Sequence, residues 1–153
     1  MRSRLLVAVL FVGALAFACG PRSHSSETPS TVPPEMVRAE NSPLATSLNV
    51  TVDDGVRLAF NVMNASASKI EVRFASGQTH EFVVLDERGR EVWRWSAERM
   101  FTQALQTKQL DAGESIAYDE RWNAGGRRGT FTAVATLKST SHPVESRVTF
   151  TIP

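Results

Sequence analysis

Few side chains in this sequence could do covalent or proton-transfer chemistry, and their spacing decides what each can do. There is one cysteine, Cys19, and there are three histidines, His24, His80 and His142. No two of the histidines have metal-ligand spacing, so no zinc site is expected. One cysteine permits no disulfide framework and no cysteine-rich zinc site. His24 falls in a polar stretch, His80 at the start of a strand-like run and His142 just before Pro143, and each is expected at the solvated surface. Ser66-Ala67-Ser68-Lys69 has the S-x-x-K spacing that activates a serine when it opens a helix with the lysine one turn on. Here it separates two strand-like runs, so a loop is expected instead. There is no G-x-S-x-G elbow, and Gly125, Gly126 and Gly129 precede a strand rather than the helix a phosphate loop needs. Asp53-Asp54 and Asp86-Glu87 fall in hairpin turns, not in a pattern that converges in a cleft. The reading is a protein with no catalytic residues, no cofactor and no metal, and not an enzyme.

The elements that surround these residues are strands. Leu48, Val50 and Val52 alternate with Asn49 and Thr51, and after Asp53-Asp54-Gly55 the alternation resumes through Val56, Leu58, Phe60 and Val62. A period of two marks a strand with one buried face, and Asp and Gly suit the tight turn between two such strands. Ile70, Val72 and Phe74 form the next set, and "HEFVVLD", 80–86, is partly apolar on both faces. "DERGRE", 86–91, predicts a hairpin with Gly89 in the left-handed position. Val92 to Trp95 form the return strand, and Ser96 is placed to cap one helical turn through Met100. Residues 102–110 read as extended, and Ile116, Tyr118 and Trp122 follow the "DAGE" turn. Phe131, Ala133, Ala135 and Leu137 share one strand face, and Val148, Phe150 and Ile152 share another. Eight or nine short strands at this spacing predict an all-β fold, an immunoglobulin-like antiparallel β-sandwich over residues 44–153. A closed β-barrel is the alternative that shows the same alternation.

The N-terminal part is different material. "MRSR" is a basic start, and residues 5–18 are an uncharged apolar run of 14 residues. A bilayer-spanning helix needs about 20 apolar residues, so residues 1–19 read as an export signal. "LAFACG", 15–20, resembles a bacterial lipobox, in which the cysteine sulfur receives a diacylglyceryl group and cleavage precedes the cysteine. That makes Cys19 the lipid attachment residue of an exported protein anchored to a membrane of the bacterial cell envelope. Ala16-Phe17-Ala18 also suits ordinary signal cleavage, which would release the protein with a free thiol. Residues 20–43 hold five prolines and seven serines or threonines among 24 residues and read as a disordered tether. Residues 44–153 carry 13 Lys plus Arg and 13 Asp plus Glu, with the signs interspersed. That neutrality excludes a nucleic-acid partner, which wants a basic face. Membrane contact then belongs to the lipid and not to the domain.

The middle of the domain resembles a known family. Phe74, Ser76-Gly77-Gln78, Phe82, Asp86, Gly89, Val92-Trp93-Arg94-Trp95-Ser96 and Met100-Phe101, with "LDAGES" at 110–115 and Trp122, are similar to the signature of the intracellular proteinase inhibitor (BsuPI) family. His80-Glu81 stand where that family commonly has a tyrosine followed by an aspartate. The resemblance implies an immunoglobulin-like β domain with Phe74, Gly77, Phe82, Gly89, Trp93, Met100, Phe101 and Trp122 as its core signature. It also implies a protein partner, with a serine proteinase as the candidate. Trp93 and Trp95 are two apart on a strand and face the same way. The turn after Ser96 is expected to bring Met100 and Phe101 back over them. The turn is then expected to close one end of the sandwich, with Trp95, Ala97, Glu98 and Arg99 nearest the surface as the contact residues for a partner, on a loop that packing must hold because no disulfide can.

Overall fold

The computed structural model describes residues 36–38 and 40–153. The expected export signal, Cys19 and most of the expected tether lie outside the described residues. Within them the chain forms β1 (Val37–Arg38), β2 (Leu44–Val52), β3 (Val56–Asn64), β4 (Ile70–Phe74), β5 (His80–Asp86) and β6 (Glu91–Arg94). A 3-10 turn, Trp95–Glu98, precedes β7 (Gln106–Leu110), β8 (Ser115–Trp122), β9 (Gly129–Leu137) and β10 (Val144–Ile152).

Every pairing is antiparallel, in sheets ordered β1-β2-β3-β8, β10-β9-β5-β6 and β4-β7. The first two sheets are the layers of an immunoglobulin-like sandwich, and neither closes on itself, so the barrel alternative is not realised. Nine strands match the expected count. The tenth, β1, pairs Val37 with Thr46 and Arg38 with Ala45, so strand pairing begins inside the segment assigned to the tether.

Alternation becomes burial as predicted. Val56, Leu58, Phe60 and Val62 of β3 face Phe82 and Val84 of β5 and Phe131, Ala133, Ala135 and Leu137 of β9 in one core. Phe60 and Phe82 meet edge to face across the layers with centroids 6.3 Å apart, a geometry the ring quadrupoles favour. Where β2 and β10 run side by side, Thr46 Oγ1 and Ser146 Oγ share a hydrogen bond of 2.7 Å between the layers.

The small β4-β7 sheet is tied in by polar groups. The fully buried Asn64 sets its amide nitrogen 2.8–3.1 Å from the carbonyls of Ser68, Leu110 and Asp111, while its oxygen accepts from Ser66. At the other end the Ser139, Thr140 and Ser141 hydroxyls donate to the Arg73 and Glu71 carbonyls. Two turn expectations resolve differently from each other. Gly89 takes the left-handed φ of 73° in its hairpin. The turn at Asp53-Asp54-Gly55 closes without any positive φ, and its carboxylates lie 3.3 and 2.7 Å from Arg121 Nη2 instead.

Candidate functional site

A buried carboxylate and a column of rings meet where β5 begins and β6 ends. Val84 pairs with Trp93 but Leu85 pairs with Glu91, so Val92 is an extra residue in β6. A bulge of this kind bends a strand and re-aims the residues beyond it. β6 stops at Arg94, and the chain turns at once into the 3-10 turn.

That turn is held by a buried carboxylate. The Ser96 N–H donates to Glu81 Oε1 at 3.2 Å and the Ser96 hydroxyl donates to Glu81 Oε2. Gln78 Nε2 and Arg94 Nη1 donate to the same group at 3.1 and 3.4 Å, and the Phe82 N–H at 3.1 Å. Removing an ionised carboxylate from water is costly unless its lone pairs are filled, and here they are. Ser96 was expected to cap a helical turn. It lies inside the turn instead, Arg94 holds the cap position without a side-chain bond, and the Ser96 hydroxyl serves Glu81.

Beside it stands a column of rings. Arg99 lies 4.5 Å over the Trp95 ring. The Trp95 ring lies 4.1 Å from His80, and His80 lies 4.1 Å from Tyr118. Tyr118 stacks at 6.3 Å on Phe60, in the core. The column thus runs from a surface cation to the centre of the sandwich. His80 is 8% exposed, which corrects the expectation of a solvated histidine. It sits on the inward face of β5 with Phe82 and Val84, and its ring fills an aromatic position.

The charges around the column are arranged in a short chain. His80 Nε2 lies 3.6 Å from Glu120 Oε1, and Arg99 Nη2 lies 3.6 Å from Glu120 Oε2. Neither His80 Nε2 nor Trp95 Nε1 has a hydrogen-bond partner among the described residues. Burial holds the His80 imidazole below its ordinary 6.5, with Arg99 acting the same way and Glu120 and Glu81 opposing. Burial likewise pushes the Tyr118 phenol above its ordinary value. An open groove of about 690 Å³ runs along the outside, lined by Trp93, Trp95, Ala97, Glu98, Arg99 and Arg121 among others.

The structure brings together all four expected contact residues, with Ala97, Glu98 and Arg99 exposed and Trp95 half-buried. Of the expected core signature, Phe74, Phe82 and Trp122 are buried. Trp93 is half-buried and stacks on Trp122 at 6.4 Å. Gly77 lies where a side chain would collide with Thr102. Phe101 returns over Trp95 at 5.5 Å as expected. Met100 does not: it is 99% exposed and belongs to no core. Phe101 takes the space beside Trp95, and adjacent residues of an extended chain point in opposite directions.

Cys19 lies outside the described residues. Ser66 and Lys69 of the S-x-x-K spacing sit in a loop, where Ser66 bonds Asn64 and Lys69 pairs with Asp111 at 3.0 Å. Among the described residues no three His, Cys, Asp or Glu side chains gather closely enough to hold a metal. The sequence reading missed Glu81, Tyr118 and Glu120. A signal existed for the last two, since Ile116, Tyr118, Glu120 and Trp122 share one face of β8, and an acid on that face needs a partner.

The family model described as "Intracellular proteinase inhibitor" (BsuPI) matches residues 44–142, well over half of the chain and the whole of this site. No curated protein matches the chain. Solved structures similar to it include a Bacteroides uniformis β-glucuronidase (TM-score 0.36, 13% identity) and a Bifidobacterium adolescentis GH3 β-glucosidase (TM-score 0.36, 16% identity). Each aligns with 72% of this chain, which spans 13% and 17% of their respective lengths. A third is the putative ApaA protein of Bordetella pertussis, with TM-score 0.35, 16% identity and coverage of 72% of this chain and 94% of that one.

Proposed function

The chain belongs to the intracellular proteinase inhibitor (BsuPI) family, and from that membership we propose that it is a non-catalytic, proteinase-binding module of the bacterial cell envelope. Residues 1–19 serve as the export signal, Cys19 carries the lipid, residues 20–36 form the tether up to β1, and residues 44–153 with β1 are the β-sandwich that binds. The observation that carries the binding reading is the family match over residues 44–142. A turn fixed by Glu81 and by a ring column supports it, because an inhibitor needs a surface that loses little freedom when it docks. The lipobox resemblance at Cys19 supports the anchor. Each buried CH₂ of an acyl chain contributes about 0.8 kcal/mol, and stable anchoring needs more than one chain. Treated as a flexible coil, the 17 residues before β1 span roughly 20–25 Å, enough to hold the domain clear of the headgroups.

Two experiments test the halves separately. Crosslinking from the domain in intact cells is expected to catch a proteinase, and a catch that contains none contradicts the binding reading. Fractionation is expected to find the protein with membranes and Cys19→Ser in the soluble envelope fraction. A Cys19→Ser protein that stays equally membrane-bound contradicts the lipid anchor.

A further inference from the structure

Between the 3-10 turn and β7 the chain runs through residues 99–105 without pairing to any strand. Two side chains of this segment, Met100 at 99% and Leu105 at 83%, are exposed large apolar groups. The residues flanking Met100 are fixed. Arg99 has the extended φ and ψ of −117° and 144°, and its N–H donates to the Ser96 carbonyl at 3.1 Å. Its Nε donates to the Trp95 carbonyl at 3.2 Å while its guanidinium stacks on the Trp95 ring. On the other side Phe101 packs on Trp95, and the Thr102 carbonyl accepts from the Gly77 N–H at 2.8 Å. These supports surround Met100 and leave its side chain in solvent.

We infer that residues 99–105 are the segment that enters an endopeptidase cleft, with the Met100 side chain filling the primary specificity pocket. This rests on the inhibitor reading above and adds the residue and the class of enzyme. An extended peptide is recognised through its main chain, and one side chain in a pocket then sets specificity. A segment already held at Arg99, Phe101 and Thr102 loses little entropy on docking. The pocket is deep and apolar, because methionine is long, unbranched and adaptable in shape. It is not an acidic pocket of the kind that takes arginine: Arg99, the nearest cation, is committed to Trp95 and Glu120.

The test measures inhibition constants of the detergent-solubilised full-length protein against chymotrypsin, subtilisin, elastase and trypsin. The expected result is inhibition of at least one of the first three. Met100→Asp then weakens it about thirtyfold or more, the size of a pocket-filling anchor's contribution, while Met100→Leu retains it. Thermal unfolding of both variants should match the parent, since the side chain touches nothing that folding needs. Inhibition that Met100→Asp leaves within twofold, or inhibition of trypsin alone, overturns the assignment of Met100 and leaves the inhibitor reading standing. A parent protein that inhibits none of the four overturns both.

Discussion

Two loops of this sandwich solve the problem of an irregular surface in opposite ways. The loop between β6 and β7, residues 95–105, carries no glycine and is fixed by groups from three other parts of the chain: Glu81 and His80 of β5, Glu120 of β8 and the backbone N–H of Gly77. The loop between β8 and β9, residues 123–128, turns on Gly125 and Gly126 at φ 58° and 76°, and its local bonds are Gly125 N–H to Asn123 and Arg127 N–H to Ala124. Backbone freedom lets the second loop close a connection. Long-range anchoring makes the first a surface of defined shape, and only such a surface can recognise a partner without a large ordering cost.

The contrast is sharpest at Glu81. Glu81→Ala strands the Ser96 N–H and hydroxyl and the Gln78 amide, so denaturant unfolding should show a loss of about 3 kcal/mol. A loss under about 0.5 kcal/mol would mean that the first loop is no better anchored than the second. Trp95→Ala should cost somewhat less, about 2–3 kcal/mol, because the ring is half-buried and its removal opens one end of the column.

The ring column also makes stability depend on pH. The folded state holds the His80 imidazole below its ordinary 6.5. The unfolded chain therefore binds a proton first as pH falls, and stability present above pH 6.5 is lost from there down to the folded value. The melting temperature should fall on acidification through this window, and His80→Phe, which keeps a ring between Trp95 and Tyr118, should flatten the profile. An unchanged profile in that variant would remove His80 from the account.

Much of the sandwich was legible because alternation is a direct record of which face is buried: Val56 through Val62 and Phe131 through Leu137 lie inward as their spacing says. The site was legible only in part. The turn that carries Trp95, Ala97, Glu98 and Arg99 was legible because the ring-rich "WRW" announces a packed end of the strand. Glu81 was not, because a buried carboxylate depends on donors from Gln78, Arg94 and Ser96 that only the folded chain assembles. His80 is inside because its spacing from Phe82 puts it on the inward face of β5, although histidine as a residue type points to solvent. Met100 is the converse case: its hydrophobic character points to burial, but Phe101 takes the space beside Trp95.

Smaller effects separate the loops further. Gly77→Ala would bring a Cβ to 2.7 Å from Thr102 Oγ1 and 3.3 Å from its backbone nitrogen, and should cost about 1–2 kcal/mol. Arg127→Ala and Arg128→Ala should each change stability by less than about 0.5 kcal/mol, measured by the same unfolding curves.

The central claim is that the first loop is held in shape before any partner arrives, and amide hydrogen exchange of the free full-length protein tests it most directly. The Ser96, Arg99 and Gly77 amides, each with an acceptor at 2.8–3.2 Å, should exchange slowly, well behind the amides of residues 123–128. Exchange of the two groups at the same fast rate would contradict the account.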